Sequence, residues 1–245
     1  MSIKIATRSE WIPTNGRARL DCKGRAQAGW RGSCHTTAMV KLSSRYRAVL
    51  LCVLFVVAPR PALAQLPGGW SAADIGAVGA AGQASGSGSS FTVEGAGADI
   101  WGTADAFHFT YQPLTGDGEI VARVAALSAT HAWHKVGVMI RNDLTPGSAH
   151  GLMLVSYGKG LAFQRRVTAN GDSTHTAGPL LTAPQWVKIA RAGNVITASW
   201  SSDGQTWNVV GSDTVVMGAT VYIGLANSSH TTAALGTATV DNVKR

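Results

Sequence analysis

Trp133-His134-Lys135-Val136-Gly137-Val138-Met139-Ile140-Arg141 alternates with a period of two. Val136, Val138 and Ile140 fall on one side; Trp133, Lys135, Gly137, Met139 and Arg141 fall on the other. Successive side chains of a strand point to opposite faces, so the stretch reads as a strand with an aliphatic face and a decorated face. Short alternating segments of the same kind lie on either side of it. Phe107, Phe109 and Tyr111 alternate with His108, Thr110 and Gln112 until Pro113. Residues 150–157 and 160–167 flank Gly158-Lys159-Gly160, and residues 186–191 and 195–201 flank Gly193-Asn194. Asp203-Gly204 is a two-residue hairpin signal, because both positions favour left-handed residues. Val221, Ile223 and Leu225 alternate with Tyr222, Gly224 and Ala226, and residues 237–243 make a last strand. The Gly- and Ser-rich stretch 76–90 reads as a loop. No window carries a sustained helical period with caps. About ten to twelve short strands without helices predict an all-β fold, a sandwich or jelly roll of antiparallel sheets.

The N-terminal quarter has a different character. Lys41, Arg45 and Arg47 precede an apolar run from Ala48 to Ala58, and Ala62-Leu63-Ala64 follows. A basic segment, a short apolar core and an A-x-A site predict a secretory signal over 39–64, cleaved near Ala64 and too short to span a bilayer. Residues 1–38, upstream of a complete signal, read as a mis-assigned start or a disordered extension. The protein is therefore expected to be secreted, extracellular or periplasmic, as a single domain over 65–245. Residues 1–64 hold 11 of the 21 Lys and Arg but only 2 of the 13 Asp and Glu. The remainder has ten basic and eleven acidic residues, a net charge of −1, so the formal +8 of the whole chain does not argue for nucleic acid. Cys22, Cys34 and Cys52 all precede the cut, which leaves no disulfide framework and no thiolate chemistry in the mature chain. No membrane span is expected there either, and a monomer is the simplest reading.

Several motifs recur together: Gly97-Ala-Asp-Ile-Trp-Gly-Thr-Ala-Asp-Ala-Phe-His-Phe109, Lys135-Val-Gly-Val-Met-Ile-Arg141, Trp186-Val-Lys188, Ser202-Asp-Gly-Gln-Thr-Trp207, Gly224-Leu-Ala-Asn-Ser-Ser-His230 and Val240-Asp-Asn-Val243. In this order they resemble the DUF1349 family over residues 67–243. The resemblance implies the concanavalin A-like lectin/glucanase jelly roll, with two curved sheets and one concave outer face. It also implies a carbohydrate-binding role of the kind inferred for modules of secreted bacterial proteins.

Parity then nominates the residues of that face. With the aliphatics inward, Trp133, Lys135 and Arg141 point outward. With Phe107 and Phe109 inward, His108 and Gln112 point outward. Gln164 and Arg166 follow from Leu161 and Phe163, and Ser228 and His230 from Ile223 and Leu225. None of these nine is acidic. They predict a cation-rich groove with an aromatic wall, in which Trp stacks on a sugar ring and Arg holds a carboxylate or sulfate. The expected partner is an extracellular or cell-surface polysaccharide, and the cations of the groove would suit an anionic one. Hydrolysis fits poorly, since the mature chain has only Glu94 and Glu119, on different strands. A polysaccharide lyase is the enzymatic alternative, with Arg141, Gln164 and Arg166 on the uronate and His108, His230 or Tyr222 as the base. A structural or adhesive surface protein is the third reading. No cofactor is expected. Asp99, Asp105 and Asp241, near strand ends, are weak candidates for Ca²⁺, with turn hydrogen bonding as their structural alternative.

Overall fold

The computed structural model describes residues 65–245; the expected export signal and the segment before it lie outside the described residues. Fourteen strands follow one another: β1 (Ser71–Ile75), β2 (Gln83–Ser87), β3 (Ser90–Gly97), β4 (Phe107–Thr115), β5 (Gly118–Leu127), β6 (Lys135–Arg141), β7 (His150–Ser156), β8 (Leu161–Arg166), β9 (Thr174–Ala177), β10 (Gln185–Ala192), β11 (Val195–Ser201), β12 (Asn208–Thr214), β13 (Thr220–Ser228) and β14 (Thr231–Lys244). They form two seven-stranded sheets, ordered β1-β4-β13-β6-β7-β8-β9 and β12-β11-β10-β5-β14-β3-β2, with every pairing antiparallel. The all-β sandwich expected from the alternation is the observed fold. Among the described residues no helix is long and apolar enough to cross a membrane.

The main core lies between the sheets. Val136, Val138 and Ile140 of β6 meet Val187 and Ile189 of β10, Ile120, Ala122 and Val124 of β5, and Ile223 and Leu225 of β13. Each of the Val, Ile and Leu side chains contributes about 1.5–3 kcal/mol of transfer free energy when taken fully out of water. Gly193-Asn194 closes β10 onto β11 as its composition predicts. Two local expectations fail. The stretch 76–90 contains β2, and its Gly86 sits where a Cβ would strike the Phe91 ring at 2.8 Å. The Asp203-Gly204 turn is a longer connection between Ser201 and Asn208, in which the Asp203 carboxylate accepts from the backbone N–H groups of Gln205 and Thr206, each at 2.8 Å.

The larger surprise concerns the outer face of the β6 sheet. Every residue of β6 and β7 is buried. A second apolar cluster covers that face: Ile75, Ile100, Phe107, Phe109, Met139, Leu152, Leu154, Ala162 and Ala226, flanked by Tyr111, Leu144 and Tyr222. Phe107 and Phe109 thus point away from the main core, opposite to expectation. Pairing with β13 sets the parity. Leu225 and Ile223 face the main core and lie opposite Thr110 and Gln112, so the even-numbered side chains of β4 share that inner face. His108 and Gln112 are therefore not on the outer face. His108 is buried, with Nδ1 2.7 Å from Asp74 Oδ1, and Gln112 Oε1 accepts from Arg245 at 3.1 Å.

Candidate functional site

The loop joining β3 to β4 builds the site. Gly97 opens it with φ +125°, where a Cβ would lie 1.9 Å from the Ala106 carbonyl oxygen, so only glycine lets the two ends of the loop close on each other. The buried Ser228 hydroxyl lies 3.2 Å from the carbonyl oxygens of both Gly97 and Ala106, and the Ala106 N–H donates to the Asp99 carbonyl at 2.7 Å. Ser228 therefore holds the loop's neck. It points to the outer side, opposite Lys135, but makes its contacts within the protein.

From this neck the loop crosses the outer face of the sheet and delivers two carboxylates to it. Asp105 is fully buried. Its oxygens take both terminal nitrogens of Arg166, at 2.6 and 2.9 Å, and lie 3.6 Å from Arg141 Nη2 and 3.5 Å from His150 Nδ1. Arg166 also donates to the carbonyls of Gly102, Pro146, Ser148 and Gly171, and Arg141 to those of Asp143 and Thr145. The Arg141 guanidinium lies 5.1 Å from the centre of the Phe107 ring. Burial lowers the Arg141 pKa to about 10, with Asp105 opposing the shift. Burial also lowers His150 to about 4, again opposed by Asp105 and reinforced by the two guanidinia. Arg141 and Arg166, expected in the groove, are instead inaccessible; both are 0% exposed.

Asp99 meets the sheet where it is open. Its carboxylate accepts from Lys135 Nζ at 2.5 Å and lies 3.5 Å from His230 Nδ1. Around this pair is a pocket of about 280 Å³ lined by Asp99, Trp101, Trp133, Lys135, Ala162, Gln164, His175 and His230. Lys135 Nζ is 5.7 Å from the Trp101 ring centre and 5.5 Å from that of Trp133, so the ammonium sits between two indoles. Trp101 is presented by the loop and packs edge-on against His175, with ring centres 5.6 Å apart. Gln164 Nε2 donates to the Ile100 carbonyl at 2.5 Å, which ties the loop to β8. Trp133 sits just before β6, in a turn where its N–H donates to His131 Nδ1 at 3.0 Å. His134, next in the chain, is buried against Ser128 and Asn227 and fixes that turn from below. His131 stacks on His230 at 4.2 Å.

His230 has φ +60°, an unusual conformation for a residue with a side chain, and it holds the imidazole at the pocket edge. Burial lowers its pKa, and His131 and Lys135 act in the same direction against Asp99. The ring is therefore neutral at pH 7. Burial likewise lowers Lys135, with Asp99 pulling it back up. One ammonium facing one carboxylate leaves the pocket close to neutral, unlike the acid-free, cation-rich surface expected.

Of the nine nominated residues, the structure brings Trp133, Lys135, Gln164 and His230 together. It seals Arg141, Arg166 and Ser228 beneath the loop, and turns His108 and Gln112 inward. Parity overlooked Asp99, Trp101 and His175, of which the first two lie on the loop. The signal for those two was the Asp-x-Trp spacing of Asp99 and Trp101. The lyase constellation does not assemble either. Tyr222 packs edge-on against Tyr111 in the second apolar cluster, with ring centres 5.2 Å apart, and only His230 of the three candidate bases reaches the pocket. Asp99 and Asp105 face cations under the same loop, while Asp241 pairs with Arg123 on the other sheet. Among the described residues no three His, Cys, Asp or Glu side chains converge as a metal site. A wider depression of about 630 Å³, lined mostly by Ser, Thr and Gly of β2, β3 and β14, brings together no comparable set of groups.

No protein-family profile matches this chain, and no curated protein sequence matches it. Its fold is shared with solved structures. A functionally unknown protein from Saccharomyces cerevisiae has a TM-score of 0.55 at 20% identity, over 66% of this chain and 90% of that one. Weaker likenesses are to a xylan beta-1,4-xylosidase from Bacillus halodurans C-125 (TM-score 0.46, 13% identity, 64% of this chain and 33% of that one) and to lectin II from Ulex europaeus (TM-score 0.43, 10% identity, 71% and 90%).

Proposed function

We propose that this protein is a secreted, non-catalytic carbohydrate-binding module of the DUF1349 type, which holds a neutral sugar unit of an extracellular glycan in the Asp99–Lys135 pocket. The observation that carries this reading is the pairing of two indoles with a polar floor in one small cavity. A sugar ring has an apolar C–H face and a rim of hydroxyls. Trp133 and Trp101 offer surfaces to the first. Asp99, Gln164, His175 and neutral His230 offer acceptors and donors to the second. The internal neutralisation of Lys135 by Asp99 supports an uncharged ligand, since an anion would compete with a carboxylate already in contact. His230 in its neutral form is a hydrogen-bonding group there.

The test is a glycan-array screen of wild type and Trp133→Ala, with the melting temperature of both. Wild type is expected to retain neutral glycans, and the variant to bind them at least about tenfold more weakly, as loss of one stacking platform implies. The melting temperature should stay the same. Equal binding by the two proteins overturns the assignment. A mass change in the glycan, or ultraviolet absorbance from an unsaturated uronate, overturns the non-catalytic reading.

A further inference from the structure

The outer face of the other sheet carries a second aromatic pocket that the first site does not account for. On β10, Val187 and Ile189 enter the core, so Trp186 and Lys188 point outward. The connection from Ser201 to Asn208 folds back over them. Gly204 lies against the Trp186 indole so closely that a Cβ would meet the ring at 2.8 Å, and φ +73° suits glycine there. Trp207 comes down beside Lys188, whose Nζ is 4.5 Å from the ring centre. The turn that makes this possible is held by Asp203, whose carboxylate accepts from the Ser201 hydroxyl and from two backbone N–H groups. The result is a pocket of about 270 Å³ lined by Glu119, Val121, Trp186, Lys188, Gly204, Trp207, Lys244 and Arg245.

This pocket is as small as the first and also has two indoles, but its electrostatics are opposite. Lys188, Lys244 and Arg245 face one carboxylate, Glu119, and none of the three cations forms an ion pair among the described residues. In the first pocket the ammonium is matched by Asp99 in direct contact. Two half-buried indoles on the solvent side of a sheet offer a flat apolar surface, and three cations around them call for an anionic group on whatever lies there.

We propose that this is a second saccharide site, specific for a sugar ring bearing a carboxylate, a uronate. Its C–H face packs against Trp186 and Trp207, and its carboxylate takes Lys188 and Lys244. Glu119, at the rim, accepts from ring hydroxyls. The two sites lie on opposite outer faces of the sandwich, so one molecule would hold a neutral and an acidic saccharide at the same time.

The test titrates the full chain with trigalacturonate and, separately, with its methyl ester, following heat and tryptophan fluorescence. The expected result is saturable binding of the acid, at least about tenfold weaker for the ester and for Lys188→Gln/Lys244→Gln, and weakened by added salt. Trp133→Ala should leave it unchanged, which separates this proposal from the neutral-sugar site. No binding of the acid, equal binding of acid and ester, or full retention in the double-lysine variant overturns the proposal. Loss of binding in Trp133→Ala also overturns it, by moving the acid to the other pocket.

Discussion

Asp105 and Asp99 leave the same loop and meet the same sheet, but one is sealed and the other lies open. Asp105 is fully buried and gathers Arg166, Arg141 and His150. Asp99 keeps a quarter of its side chain exposed and gathers Lys135 and His230 beside an open pocket. The ion pairs have the same chemistry in both places; access to water decides what they do. In the sealed centre a charge has nowhere to go if its partner is lost, so the cluster fastens the loop. At the open centre water can replace a lost partner, so the groups remain available to a ligand.

The sharpest way to break this contrast is to remove each carboxylate in turn. Asp105→Asn should cost about 3–5 kcal/mol, because two buried guanidinia lose their counter-charge. Arg141→Ala should fall in the same range, leaving Asp105 with one partner fewer. This reverses the expectation from sequence, in which Arg141 was a ligand contact on the outer face. Urea denaturation of both variants measures it, and a loss below about 1 kcal/mol in either would mean the centre is not sealed.

Acid should pick out the same centre without mutation. An unfolded histidine titrates near pH 6.5, whereas folded His150 is held near 4 by burial and by Arg141 and Arg166, against Asp105. Between those values the unfolded chain binds the proton and the folded chain does not. Stability is therefore complete above about pH 6.5 and falls as the pH drops towards 4, by something on the order of 3 kcal/mol. Denaturation at a series of pH values, compared with His150→Gln, checks this. The variant should lose the part of the slope that lies between pH 6.5 and 4.

Asp99→Asn should be milder for the fold, about 1–3 kcal/mol, because it leaves one buried cation, Lys135, without its partner instead of two buried guanidinia. Its larger effect should be on binding, since Lys135 would no longer be neutralised and the pocket would turn cationic. A shift of the glycan array from neutral towards acidic ligands is the expected signature. The smallest effect belongs to Asp203→Ala, at an exposed turn far from both carboxylate centres. Hydrogen bonds from the Thr206 and Gln205 backbone, and from Ser201, hold the Asp203 pKa near 2. The stability this provides is present above the unfolded value near 4 and fades as pH falls towards 2. A Tm comparison at pH 7 and pH 2.5 should show a smaller deficit for the variant at the lower pH, with neutral-sugar binding unchanged.

Much of the architecture was legible because two-residue alternation is a strong signal where only one face is apolar. β6 places Val136, Val138 and Ile140 in the main core as read, and the Gly193-Asn194 turn falls where expected. Alternation says which residues share a face, but not which face is inside. On β4 both sets are buried, so the rule that apolar residues point inward chose wrongly for Phe107 and Phe109 and carried His108 and Gln112 with them. The site was half legible for a related reason. Its strand residues Lys135 and Gln164 obey the period, but Asp99 and Trp101 lie on a loop, where no period exists. A loop that buries the outer face also brings the acids that parity could not place, so the apparent cationic surface vanished once it was covered.

That loop divides the labour along its own length. Its far end, at Asp105, is committed to the interior, while Asp99 and Trp101 face the cavity and take no part in the Arg141–Arg166 knot beyond backbone contacts at its edge. Ligand preference and structural integrity are thus written in separate letters of one short segment. Directed evolution that randomises positions 99 and 101 while holding Gly97 and Asp105 fixed has a scaffold on which the chemistry of the pocket can be varied without dismantling the sandwich.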